Sequence, residues 1–179
     1  MFNSFYLCFM PEAIQNKVSQ SGLITIDLEE CIEPPQFRTL DVSRMLEQGL
    51  VLREKSFRSA LETLNLEPYN NQNVELICST DAIIPSWAFL LIICYIQPHV
   101  KSVFVGGASA AYDQYYTKKV LELDLSMYQN AKVVLKGCSG SNIPPAAYAL
   151  LASRLRPIVY SLFYGEPCST VPLFKNKRP

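Results

Sequence analysis

Hydrophobic positions change their period along the chain, and each change marks an element. Residues 11–21 have the spacing of a short amphipathic helix. Residues 23–28 (LITIDL) alternate with β-branched side chains and predict a strand. Pro34-Pro35 then breaks the chain, and residues 39–40 extend briefly. Asp41 is placed to cap a short helix over 42–48, which Gly49 closes. Residues 54–64 (EKSFRSALETL) join strong helix formers to apolar positions at helical spacing, and 68–73 make a turn.

From residue 74 the pattern becomes a regular alternation. Short apolar runs at 74–78, 102–105, 131–136 and 158–164 predict strands, and helical spacing at 85–96, 109–123 and 145–155 predicts helices. Pro85 falls near its helix's first turn, where a missing N–H is harmless. Strands alternating with helices predict an α/β fold: a mostly parallel sheet with helices on both faces. Nearly continuous apolar strands agree with burial on two sides. The run 82–96 reads as a buried helix. Pro85 interrupts it, and it is shorter than the roughly 20 residues a bilayer needs.

The alternation carries an internal repeat. At a separation of 60, Val74, Cys78, Ser79, Ile83, Pro85, Leu90 and Leu91 meet Val134, Cys138, Ser139, Ile143, Pro145, Leu150 and Leu151. After one deletion, Pro98, Val100, Ser102, Phe104 and Gly106 meet Pro157, Val159, Ser161, Phe163 and Gly165. These are 12 identities over 32 positions, where ordinary residue usage gives about two. Two units demanded by one architecture explain shared leucines. They do not readily explain a shared Cys-Ser with Ile-x-Pro downstream. The expectation is a duplicated strand–Cys-Ser–helix–strand unit, residues 74–106 and 134–165.

Composition narrows the classes. A chain of 179 residues fits one domain, read here as 10–175, and 49% hydrophobic content supports a core without disulfide staples. Sixteen basic residues against sixteen acidic ones leave no electrostatic footprint for nucleic acid or anionic lipid. Residues 176–179 read as a short basic tail. Residues 1–9 are apolar without a basic residue or the length of a signal peptide, so Met10 is the expected start and 1–9 an extension. The chain reads as cytoplasmic.

In a reducing compartment its six cysteines are thiols, ligands or nucleophiles rather than disulfides. No CxxC pair occurs, so compact zinc ribbons and thioredoxin-like centres are unsupported. Cys78 and Cys138 each follow a strand and precede a helix, at the carboxyl edge where open α/β sheets bind ligands. Helix N-termini there lower a thiol pKa. Cys168 lies three residues past Gly165 at the same expected edge, where the first unit has Ser109. Each of the three cysteines precedes a serine: Ser79, Ser139 and Ser169. Those hydroxyls, with Asp81, Glu166 and Thr170, are candidates to support a ligand or bind one.

Three thiolates suit zinc with an open fourth position, or an iron–sulfur cluster short of one ligand. Against this stands the fact that a free cysteine is often just a small buried hydrophobe. A phosphatase-like loop would need arginine about six residues on, where Ile84 and Pro144 stand. The single histidine, His99, falls before a strand and so at the opposite edge from Cys78. Cys94 and Trp87 read as core within the apolar helix; Asp81 reads equally as a turn residue. Gly106-Gly107 is too little for a phosphate-binding loop. Glu54, Lys55 and Arg58 read as a solvated helix face.

The strings 21–25 (SGLIT), 49–58 (GLVLREKSFR), 78–89 (CSTDAIIPSWAF), 136–139 (KGCS) and 164–173 (YGEPCSTVPL) together resemble an uncharacterised bacterial family, the domain of unknown function numbered 2480. The resemblance covers about residues 10–175. It implies no reaction, since the family has no established activity. It implies a link to iron–sulfur assembly, beside whose genes members are expected to be encoded.

The leading expectation is a cytosolic accessory protein, not an enzyme. It would hold zinc or an iron–sulfur cluster through Cys78, Cys138 and Cys168, with iron–sulfur assembly proteins as partners. The alternatives are a thiol-dependent enzyme with its nucleophile at a helix N-terminus, and an interaction module with no ligand site.

Overall fold

The structure is a computed structural model, and it describes residues 22–137, 143–166 and 169–176. In chain order these form β1 (Leu23–Asp27), α1 (Leu28–Cys31), β2 (Phe37–Asp41), α2 (Glu54–Glu62), β3 (Asn73–Ile77), α3 (Ser86–Ile96), β4 (Ser102–Val105), α4 (Gly107–Glu122), β5 (Lys132–Lys136), α5 (Pro145–Leu155), β6 (Ser161–Glu166) and β7 (Ser169–Lys175). The strand–helix alternation is the α/β fold the pattern predicts. Its parallel strands belong to two sheets, ordered β2-β3-β4 and β1-β5-β6-β7. Among the described strands β6 and β7 pair antiparallel and the others pair in parallel.

The sheets belong to separate compact units. A central unit runs from Pro35 to Tyr115, so the Pro34-Pro35 break is its first boundary. A flanking unit holds the described residues before it and from Tyr116 onward.

In the central unit, Leu40, Val74 and Leu76 point to one sheet face because side chains alternate along a strand. They join Phe57 and Leu61 from α2 and Ala88, Ile92 and Ile96 from α3 in one buried cluster. The helical residues are four apart, so each set makes a single stripe. Phe57 is fully buried, which contributes roughly 1.5–3 kcal/mol of transfer free energy. Phe37 and Phe104 meet each other and Tyr115 of α4 edge-to-face, and Phe37 also meets Tyr112, with centroids 5.5–6.2 Å apart.

In the flanking unit, Val133 and Leu135 of β5, Leu162 of β6, and Ala147, Leu151 and Leu155 of α5 are buried. Arg154 donates to the carbonyls of Val120 and Leu123, satisfying groups that the end of α4 leaves without helical partners.

The two units repeat local geometry at a constant separation of 59, one less than the cysteine alignment. Asn71 and Asn130 take φ of 57° and 58°. Their N–H groups donate to the carbonyls of His99 and Ile158. Register pairs Asn73 with Ser102 and Lys132 with Ser161. Pro85 and Pro144 are the N-caps of α3 and α5, so Pro85 stands one position before the first turn expected to hold it. At this spacing residues 64–106 share 15 of 43 positions with 123–165, without a gap. The residue 59 beyond Cys78 is Gly137, so Cys78 and Cys138 are one position out of step with the framework.

Other expectations shift. The helix expected over 42–48 is a single 3₁₀ turn, Val42–Met45. Trp87 and Cys94, read as core, are exposed on α3. The helix expected over 11–21 lies outside the described residues.

Candidate functional site

The carboxyl edge of the central sheet is where Cys78 emerges. β3 ends at Ile77, so Cys78 is the first residue past the strand, and its thiol is half-buried. The thiol donates to the Thr80 carbonyl at 3.4 Å and lies 3.5 Å from the Thr80 hydroxyl. Thr80 in turn donates to the Gly49 carbonyl at 2.6 Å. Next to it, Asp41 closes β2 and gathers three hydrogen bonds: from Ser43 N at 3.0 Å, Ser79 N at 3.1 Å and Ser79 Oγ at 2.6 Å. Burial pushes the Asp41 carboxyl up, but the bonds from Ser79 and Ser43 outweigh it and hold it at about 2. Ser43 and Ser79 hydroxyls are 3.0 Å apart. Ser79, expected beside a metal ligand, thus braces the ends of β2 and β3. Asp81 is exposed.

The matching edge of the flanking unit is charged. Asp27 ends β1, caps α1 by accepting from Glu29 N at 2.9 Å, and is 7% exposed. Lys136 ends β5 opposite it and donates to Asp27 Oδ2 at 2.6 Å. The hydrogen bond and charge of Asp27 raise the Lys136 pKa above 10.5, with smaller help from Glu166 and Glu30. Glu166 ends β6 and pairs with Ser169, the first residue of β7, while Thr170 pairs with Gly165. Tyr164 donates to the Gly137 carbonyl at 3.0 Å. Cys138, Ser139 and Cys168 lie outside the described residues.

Three of the anticipated site residues (Glu166, Ser169 and Thr170) therefore share the β6–β7 connection, and three (Cys78, Ser79 and Asp81) share the edge of the central unit. Among the described residues no group of three or more His, Cys, Asp or Glu side chains is placed to hold a metal ion. Asp27, Ser43 and Lys136 went unnoticed as edge residues in the sequence. The available signal was the recurrence of Thr-aliphatic-Asp-aliphatic, residues 25–28 and 39–42, where each aspartate ends a strand and caps the next turn.

Fold and edge together define an α/β protein in which Cys78 directly follows a parallel strand. The chain belongs to the family described as protein of unknown function (DUF2480), whose model matches residues 12–176. No curated protein and no solved structure matches it. Among the described residues no helix is long and apolar enough to cross a membrane.

Proposed function

We propose that the chain binds a soft metal, as zinc or as an iron–sulfur cluster, through Cys138 and Cys168 of the flanking unit, and serves as an accessory in cluster assembly or delivery. The supporting observation is the adjacency of β5 and β6. They pair in parallel, with Leu135 opposite Tyr164, so both strands end at one edge of the sheet. Cys138 is two residues beyond Lys136, and Cys168 is two beyond Glu166 and one before Ser169. The Glu166 carboxylate belongs to the same edge and supplies an oxygen donor suited to completing a zinc site. Cys78, the third thiol of the sequence reading, belongs to the central unit and spends its proton on Thr80, so the proposal rests on the other two.

Metal analysis of anaerobically purified protein tests this. Stoichiometric zinc, or iron with a visible charge-transfer band, is expected, with loss in Cys138→Ser and in Cys168→Ser. Loss in Cys78→Ser as well would add that thiol to the set. A colourless, metal-free wild type would overturn the proposal.

A further inference from the structure

Helix α3 (SWAFLLIICYI) is apolar on nearly every side, a composition that belongs to buried helices. Yet Trp87 is 39% exposed, Leu90 61% and Tyr95 36%, and Cys94 is exposed too. Trp87, Leu90, Leu91 and Cys94 are spaced i, i+3, i+4, i+7, the seam along which one helix packs on another. With Glu54 and Arg58 of α2 they line a shallow groove of about 400 Å3.

The fold does not require these side chains. The helix at the equivalent place in the flanking unit, α5, has Ala146, Ala149 and Ser153 where α3 has Trp87, Leu90 and Cys94. Both helices bury the same stripe, Ala88, Ile92 and Ile96 against Ala147, Leu151 and Leu155. The exposed positions of α3 are the larger and more apolar ones, and contiguous exposed apolar surface of this kind marks an interaction site.

The rim indicates the occupant. Glu54 and Arg58 are one turn apart on α2 and pair with each other at 3.0 Å. A two-fold axis perpendicular to α2 and passing between them would set each copy's Glu54 level with the other's Arg58. The rim is complementary to itself and carries no net charge to attract a charged partner. We propose that this face is where two copies of the chain meet, α3 against α3 about a two-fold axis, with Trp87 and Leu90 at the centre. Such an isologous contact uses one patch on both subunits.

Sedimentation velocity on the full chain over a concentration series tests this, alongside three variants. Wild type is expected to sediment as a dimer. Leu90→Glu is expected to be a monomer with unchanged circular dichroism and melting, since Leu90 is mostly exposed. Glu54→Arg and Arg58→Glu each place like charges across the axis and are expected to weaken self-association about tenfold. An equimolar mixture of the two is expected to recover it, because each then meets its opposite. A wild type that stays monomeric would overturn the proposal and leave the face to a different protein. A dimer indifferent to Leu90→Glu would also overturn it, as would charge variants whose mixture behaves no differently from either alone.

Discussion

Asp41 owes its low pKa of about 2 to hydrogen bonds from two serines, which outweigh the opposing effect of burial. A carboxylate depressed in the folded state adds stability that is fully present above its ordinary value of 3.8 and disappears as pH falls through the folded value. Denaturant midpoints measured between about pH 4 and 2 are therefore expected to fall, and Asp41→Asn to flatten that limb. At neutral pH, Asp41→Ala should cost about 1–2 kcal/mol, combining a lost cap with unpaired donors. Lys136 has the opposite sign. Its pKa is raised by Asp27, so its contribution is present below 10.5 and lost as pH rises through the folded value. Lys136→Met leaves the buried Asp27 carboxylate without its cation and should cost about 1–3 kcal/mol. An unchanged urea midpoint would mean that solvent replaces the pair.

At the scale of elements, Gly137 directly follows β5 and precedes Cys138 in the sequence. A Cβ there would collide with the Tyr164 ring and hydroxyl. Gly137→Ala is expected to displace Tyr164, break its bond to the 137 carbonyl and lower the melting temperature by several degrees, roughly the shift from about 1 kcal/mol. A defect that adding Tyr164→Phe leaves undiminished would contradict the hydroxyl's share in it. The sequence disclosed some elements to the residue: 102–105 and 145–155 are β4 and α5 as predicted, because glycine or proline bounds them. It hid others for physical reasons. Leu28 continues the alternation of β1, so the pattern alone carries the strand into α1. β7 is hidden because Pro172 argues against a strand. In the structure β7 is an edge strand, and Pro172 faces Phe163 beside a register shift, a place where proline is tolerated. Local period also carries no pairing information, so the division into two sheets was not legible. Nor was the exposure of α3, since its composition alone argues burial.

At the scale of the molecule, sequence reasoning placed cysteines at strand ends, and Cys78 stands at one. It could not show that Cys78 and the β5–β6 edge belong to different compact units. Phe57 anchors the central unit's core, and Phe57→Ala should cost about 3–5 kcal/mol in unfolding free energy. The flanking unit carries the two thiols on which the proposed function depends. The most direct measurement is cobalt titration of the metal-stripped, reduced protein, followed by absorbance. One equivalent of cobalt with an intense thiolate-to-metal band in the near ultraviolet, absent in Cys138→Ser and in Cys168→Ser, is the predicted result. A spectrum of hydrated cobalt, identical in wild type and both variants, would contradict the account.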